Sequence, residues 1–166
     1  MRGRRELGKK SVRAGFSLIE LVVVVVIIGI IAAIAIPKMS KGAAGAADSA
    51  VAGDLKLLRQ AIDMYNNEHP GYPVDVTNIA NQLTQYSNSD GTQLAASKNT
   101  ATGIVLGPYI RALPNLPVGP ATLKGTNGIG ASTTATNAWF YDPTSQAVSV
   151  NPAAGNDASN VAYSTY

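Results

Sequence analysis

An unbroken apolar run near the N-terminus constrains the fold of this chain more than any other feature. It covers residues 22–36 and follows a segment, residues 16–21, whose only charge is Glu20. As an α-helix, residues 16–36 would extend about 31 Å at 1.5 Å per residue, which matches the hydrocarbon core of a bilayer. Because this helix would be apolar on every side, it must be surrounded by lipid or by other protein.

Glu20 is the only ionisable side chain in this apolar segment. A carboxylate within a membrane span is unfavourable by up to a few kcal/mol, so it marks a candidate functional site whose partner must be found. If the chain were cut between Gly15 and Phe16, the new α-amine of Phe16 would lie in the same layer as this carboxylate. A helical side chain leans toward the N-terminus, so the amine of its own chain is one candidate partner. The amine of a second, staggered copy is the other, and we favour this pairing between copies.

The sequence Gly15-Phe16-Ser17-Leu18-Ile19-Glu20, placed after a short basic leader, resembles the prepilin processing signal of type IV pilins and of the related pseudopilins of type II secretion. In that family a membrane peptidase cuts after the glycine and methylates the new phenylalanine amine. The resemblance therefore implies cleavage between Gly15 and Phe16, N-methylation of Phe16, and a role for Glu20 in docking the subunit in register onto its neighbours. The resemblance is close over residues 13–67 and much looser beyond.

The basic charge of the chain is concentrated in its first fifteen residues. They hold six Lys or Arg and one Glu, a local charge of +5, whereas the whole chain carries +3, which leaves −2 for residues 16–166. The net positive charge of the chain therefore indicates a targeting segment rather than nucleic acid binding. Basic residues before an apolar span keep that end in the cytoplasm. We expect residues 1–15 to be a leader that is removed, residues 16–37 to cross the inner membrane, and the remainder to lie outside it.

An ordinary secretory signal peptide is the main alternative interpretation of the N-terminus. The basic start, the apolar run and a small-residue cleavage site at Ala33-Ile34-Ala35 are all present. Cleavage there would release a secreted binding protein or enzyme, and a membrane-anchored one is the related possibility. Two features argue against this interpretation: Glu20 at the start of the apolar region, and a helical pattern that continues well past Ala35.

Gly29 and Pro37 weaken the helix within or at the end of the apolar span. Pro37 lacks a backbone donor and clashes with the preceding turn, and Gly29 lowers helix propensity, so we expect a kink or local flexibility here. Both residue types are also common in membrane helices, which is the alternative explanation. In the resembled family the corresponding section can melt in assembled filaments, which implies that a fibre of this protein could extend under load.

A second, amphipathic stretch continues the helix over residues 38–67. Its apolar side chains recur at spacings of four and three, with polar positions around them. The helix should end around Asn67, before His69-Pro70-Gly71. A single apolar stripe must cover another surface, and the rest of the chain is available for it. The residues predicted to pack the helix on the head are Val51, Leu55, Leu58, Ile62 and Tyr65.

Residues 68–166 are predicted to form a small globular head. A short helix is expected within residues 76–86, an exposed loop at residues 88–102, a β-hairpin of residues 138–141 and 147–150, and a surface tail from residue 151. The predicted fold class is α+β and type IV pilin-like. A long N-terminal α-helix, membrane-spanning in its first half and amphipathic in its second, would pack on a small C-terminal antiparallel β-sheet domain.

Residues suited to catalysis or metal binding are sparse. The chain has no cysteine and one histidine, His69, at a predicted helix end, where a structural or solvated role is more common than a catalytic one. No zinc-ligand spacing is present. The resembled pseudopilins bind calcium near their C-terminal hairpin, where Asp142 and Asp157 are available, but both lie in turn-forming sequences. We therefore predict no metal site, no cofactor and no enzymatic activity.

The resemblance implies a structural subunit of a type IV pilus-like filament. The alternative within the family is a major pseudopilin of a type II secretion system. Many type IV pilins close a C-terminal loop with a disulfide, so the lack of cysteine favours a pseudopilin-like end domain or an unusual pilin. The implied partners are copies of the chain in a helical filament, a prepilin peptidase and methylase, the inner membrane, and pilus or secretion machinery with minor subunits. The implied final location is an extracellular pilus or a periplasmic pseudopilus.

Overall fold

A computed structural model describes residues 15–71, 74–134 and 136–166 of the chain. The predicted leader, apart from Gly15, lies outside these residues. The chain divides into two compact units, one ending at Ser40 and one from Lys41 to Tyr166. Residues 41–67 of the predicted amphipathic stretch therefore belong to the same unit as the head.

A single helix, α1, runs from Leu18 to Glu68. Its backbone remains helical through Gly29 and Pro37, although these residues lower helix propensity. The helix ends where Pro70 removes a backbone donor and Gly71 takes a φ of +88°, a conformation that favours glycine.

The two halves of α1 differ in the burial of their apolar side chains. The stretch Leu18–Ile36 is long and apolar enough to cross a membrane, and none of it is buried. In the second half, one stripe of side chains is at most 2% exposed and lies in the core of the head. These side chains are Val51, Leu55, Leu58, Ala61, Ile62 and Tyr65.

The first part of the head contains a short helix and a small hairpin. Helix α2 runs from Ile79 to Thr84, and strand β1, Tyr86–Ser87, pairs antiparallel with β2, Leu94–Ala95. The prediction of an exposed loop over residues 88–102 is therefore wrong in part, since β2 lies within it. Strands of two residues are too short to produce a detectable alternation of apolar and polar side chains.

The C-terminal part of the head is a three-stranded sheet. Strands β4, Trp139–Asp142, and β5, Ala147–Val150, form the predicted hairpin, with Trp139 opposite Val150. The third strand, β3, Ile129–Gly130, pairs parallel with β4. The α+β fold class is confirmed, but the sheet is mixed rather than wholly antiparallel, because the two-residue strand β3 gave no sequence signal.

The tail from residue 151 onward is not merely a surface segment, and that prediction is wrong for three of its residues. Asn151, Ala154 and Tyr163 are 0%, 4% and 5% exposed. The amide of Asn151 donates to the carbonyls of Ser132 and Thr134, both at 3.0 Å, and so ties the tail to the loop between β3 and β4. The tail is rich in small and polar residues, so its composition did not indicate that these three side chains are buried.

Candidate functional site

The first turn of α1 is closed by the side chain of Glu20. The carbonyl of Ser17 accepts the first intrahelical hydrogen bond, from the Leu21 amide at 3.2 Å, so Ser17 is the N-cap residue. The Glu20 Oε2 atom accepts the backbone N–H of Ser17, also at 3.2 Å. The carboxylate thus binds one of the amides that have no acceptor within the helix.

This hydrogen bond is one half of a capping box, in which the third helical residue reaches back to the amide of the N-cap. Its usual signal, Ser17-x-x-Glu20 before an apolar run, is present here but was not used in the sequence-based prediction. Ser17 is therefore a residue of this site that can be recognised from spacing alone.

The predicted processing residues lie just before this turn. Gly15 and Phe16 precede the first helical residue, Leu18, and both are exposed. The Phe16 side chain is 83% exposed. Glu20 is exposed as well and lines a shallow depression of about 250 Å³ with Ile19, Val23 and Val24. The structure therefore places the predicted cleavage point and the acidic side chain on one accessible segment.

The two residues predicted to make the helix flexible lie inside continuous helix. A Cβ atom added at Gly29 would meet no other atom within 4 Å. The glycine is therefore not required by packing within the monomer. The backbone of Pro37 is helical, and its side chain lies outside the described part of the chain.

The residues predicted to pack α1 on the head all lie in its buried core, and Tyr65 is the last of them along the helix. The Tyr65 ring stacks on His69 with centroids 4.0 Å apart, and its hydroxyl accepts a hydrogen bond of 2.9 Å from the Gln82 amide. Burial is the main cause that raises the pKa of Tyr65, and the negative charges of Asp75 and Asp90 add to it. Tyr65 thus joins the end of α1 to α2.

His69 has a structural environment in the head. It is 1% exposed, and its Nδ1 atom lies 2.9 Å from the carbonyl of Tyr65. Its Nε2 atom lies 3.0 Å from both the Ser87 hydroxyl and the Asn88 carbonyl. The ring therefore connects the C-terminal end of α1 to β1, and its nitrogens face partners within the fold.

The two aspartates considered for calcium are engaged in turns. Asp142 accepts from the Thr144 amide at 2.9 Å and from the Ser145 hydroxyl at 2.7 Å, and these bonds, the hydroxyl first, lower its pKa. Asp157 accepts from the Tyr166 hydroxyl at 2.6 Å, which is the largest cause of its lowered pKa. Within the described residues, no three His, Cys, Asp or Glu side chains converge in a way that could hold a metal ion.

The tail contacts α1 through two side chains of that helix. The Tyr163 hydroxyl donates to Asp48 at 2.5 Å, and burial, followed by this carboxylate, raises the pKa of Tyr163. The Arg59 guanidinium donates to the Val148 carbonyl at 3.2 Å and to the Tyr166 carbonyl. The sequence offered no signal for these contacts, because the paired residues are far apart in the chain.

Comparison with known proteins identifies the N-terminal segment. The model of the family "Prokaryotic N-terminal methylation motif" matches residues 10–36. This segment contains Gly15, Phe16, Ser17 and Glu20 and most of the exposed apolar part of α1. No curated protein and no solved structure matches the chain. The chain therefore carries the prepilin-type signal of type IV pilins and pseudopilins, on an α+β structure that is consistent with a pilin-like fold.

Proposed function

We propose that this protein is a structural subunit of a type IV pilus-like filament, held in the inner membrane and assembled through its N-terminal helix. The observation that carries this proposal is the combination of the methylation motif at residues 10–36 with a helical stretch, Leu18–Ile36, that is apolar and wholly unburied. Such a surface requires lipid or other apolar helices around it.

Assembly through this helix is an exchange of apolar surroundings. In the membrane the stretch Leu18–Ile36 contacts lipid, and in a filament it contacts the same stretch of other copies. The transfer exposes no apolar surface to water, so the hydrophobic effect does not oppose it. Close packing between helices then favours the filament, and small residues such as Gly29 allow their backbones to approach.

Processing prepares the subunit for this exchange. We propose that a prepilin peptidase removes residues 1–15 by cutting between Gly15 and Phe16 and that the Phe16 amine is methylated. Residues 16–37 are then the membrane and filament-core segment, residues 38–67 its amphipathic continuation, and residues 68–166 the head. The segment between Gly29 and Pro37 supplies flexibility along the filament core.

Glu20 provides the register between subunits in this proposal. Its carboxylate lies at an exposed position among apolar side chains, where an unpaired charge is unfavourable. The cationic Phe16 amine of a neighbouring copy neutralises it, and a misplaced copy leaves both charges unpaired in an apolar environment. The pairing therefore selects correctly staggered copies rather than adding general affinity.

The proposal is tested by filament yield in a strain whose chromosomal gene is replaced by variants. We expect Glu20→Ala to leave leader cleavage and membrane insertion intact and to reduce filaments at least about tenfold, the effect of about 1.4 kcal/mol per added subunit. Asp63→Ala removes an exposed carboxylate in the second half of α1 and should assemble normally. Normal filaments with Glu20→Ala would exclude the pairing role.

A major pseudopilin of a type II secretion system is the second candidate. The chain has no cysteine, so its head cannot contain the disulfide-closed loop of many type IV pilins. Electron microscopy of cells that lack this protein, together with an assay of exported proteins, separates the two. Loss of surface filaments with normal export supports the pilus, whereas loss of export with unchanged surface filaments supports the pseudopilus.

A structural role requires neither a cofactor nor catalytic residues. The proposed partners are other copies, minor subunits, the prepilin peptidase and the assembly machinery of the pilus or secretion system. Nucleic acid is not among them, since the basic residues concentrate in the leader and residues 16–166 carry a charge of −2.

A further inference from the structure

The ring of His69 lies between two backbone carbonyls, one at each of its nitrogens. Nδ1 lies 2.9 Å from the carbonyl of Tyr65, and Nε2 lies 3.0 Å from the carbonyl of Asn88. A carbonyl oxygen only accepts hydrogen bonds, so each nitrogen needs a proton to bond to it. A neutral imidazole carries one ring proton, whereas an imidazolium carries two. Only the imidazolium can therefore make both bonds.

Either neutral form of the ring leaves a nitrogen lone pair against a carbonyl oxygen. With the proton on Nδ1, Nε2 could accept from the Ser87 hydroxyl at 3.0 Å, but its lone pair would still face the Asn88 carbonyl. With the proton on Nε2, the lone pair of Nδ1 would face the Tyr65 carbonyl. His69 is 1% exposed, so bulk water does not separate these groups.

A chain of hydrogen bonds leads from the ring to an exposed carboxylate. The Tyr109 hydroxyl donates to Glu68 Oε2 at 2.7 Å, because an ionised carboxylate only accepts. The Ser87 hydroxyl also hydrogen-bonds to Tyr109, and this bond uses the proton of Ser87, since that of Tyr109 is directed at Glu68. The Ser87 oxygen can then accept from Nε2 of His69. The direction of these bonds agrees with a proton on Nε2.

The surroundings of His69 favour a positive charge on its ring. The ring of Tyr65 stacks on it with centroids 4.0 Å apart, and the face of an aromatic ring attracts cations. Both rings lie at the C-terminal end of α1, which carries a partial negative charge. Burial is the main cause that raises the pKa of Tyr65, and the negative charges of Asp75 and Asp90 raise it further, so these two charges act on the stacked rings. Glu68, at the end of the hydrogen-bond chain, adds a third negative charge.

We propose that His69 is doubly protonated in the folded head, and that its second proton, held by hydrogen bonds that end at Glu68, makes the junction of α1 with β1 a pH-sensitive contact. The imidazolium donates to α1 through Nδ1 and to the end of β1 through Nε2. Loss of the second proton breaks one of these bonds and leaves a buried acceptor unpaired. The stability that the contact provides is therefore present at low pH and lost as the pH rises and the folded head releases the proton. This inference goes beyond the filament function and does not depend on it.

The protonation of the ring is tested by 15N NMR of the full-length protein in detergent micelles, made without a histidine tag. His69 is the only histidine in the chain, so its ring nitrogens are identified without ambiguity. An imidazolium shows two similar 15N shifts, whereas a neutral ring shows two widely separated ones. A free histidine releases its second proton near about pH 6.5, and we expect similar shifts in the folded protein at about pH 7.5. Widely separated shifts under these conditions overturn the proposal.

The part played by Glu68 is tested by the same measurement in two variants over a pH series. Glu68→Gln removes the carboxylate at the end of the hydrogen-bond chain. Asp63→Asn removes an exposed carboxylate of the same helix that lines a groove beside β5. We expect Glu68→Gln to weaken binding of the second proton about threefold and Asp63→Asn by less than about 1.5-fold, because exposed charges are screened over distance. Equal effects of the two variants overturn the proposed role of Glu68.

The pH-sensitive contact is tested by urea unfolding at about pH 7 and about pH 9, followed by the fluorescence of Trp139. Burial raises the pKa values of Tyr65 and Tyr109, whose rings lie beside His69, so both tyrosines stay neutral in this range. In the wild type we expect the ratio of folded to unfolded protein to fall about fivefold at the higher pH, the effect of one lost buried hydrogen bond. His69→Gln has no second proton to lose and should show no such fall. An unchanged ratio in the wild type, or an equal fall in His69→Gln, overturns the proposal.

Discussion

Truncation of Leu55 is expected to destabilise the head far more than truncation of its near neighbour Leu57. Leu55 is 1% exposed and lies in the core, whereas Leu57, on the same helix, is 43% exposed. Replacement of a buried leucine by alanine costs about 2 to 5 kcal/mol, a large share of a domain's typical stability of about 5 to 15 kcal/mol. Substitution of an exposed side chain usually stays within about 0.5 kcal/mol. Both variants change helix propensity equally, so their difference measures burial.

Urea unfolding of the full-length protein in detergent micelles measures this difference. Trp139 is the only tryptophan in the chain, so its fluorescence reports on the head alone. Its side chain is 0% exposed, and its indole N–H donates to the Pro114 carbonyl at 2.9 Å. We expect the unfolding free energy of Leu55→Ala to fall by at least about 2 kcal/mol relative to Leu57→Ala. Equal midpoints for the two variants would refute the packing of α1 on the head.

Two further predictions use the same fluorescence assay. Gly91→Ala should destabilise the head by at least about 1 kcal/mol more than Gly103→Ala. A Cβ at Gly91 collides with the Tyr65 hydroxyl, whereas a Cβ at Gly103, which has a similar positive φ, meets no atom within 4 Å. Equal losses of stability in the two variants would contradict the contact between Gly91 and Tyr65. The lowered pKa values of Asp142 and Asp157 predict stability that is fully present above their usual value of 3.8 and lost as pH falls through the lower values of the folded state. The urea midpoint should therefore stay nearly constant down to about pH 5 and drop as the pH falls below about 4, and it should drop less when both aspartates are changed to asparagine. An equal drop in the variant would exclude these two groups as the cause.

The parts of the fold with strong local signals could be predicted from the sequence. The apolar run and the stripe of four-and-three spacing gave α1 with ends close to the observed ones, since helical periodicity accumulates over many turns. The hairpin of β4 and β5 followed from aromatic and β-branched residues on either side of a turn sequence. These elements depend on residues that are close together in the chain.

The contacts that could not be predicted join distant residues or involve very short strands. Asp48 and Tyr163 are separated by 115 positions, and Arg59 and Val148 by 89. No local pattern encodes such pairs. Strand β3 has only two residues, Ile129–Gly130, and therefore shows no alternation.

The sequence contained signals for the candidate site, and one contact among its residues was overlooked. The spacing of Gly15, Phe16 and Glu20 indicated the processing signal. The hydrogen bond from the Ser17 amide to Glu20 follows from a known capping signature, whereas the apolar surroundings of Glu20 indicate only that its charge needs a partner. A charged side chain at the start of an apolar helix can therefore both pair with an opposite charge and cap its own helix.

The mass of the subunit's N-terminal peptide, recovered from sheared surface filaments or from the membrane, is the most direct test of processing and assembly through the N-terminal helix. We predict a polypeptide that begins at Phe16 with one methyl group on its amine and that retains the stretch Leu18–Ile36. A mature protein that begins near Ile36, or an active one that still begins at Met1, would contradict it.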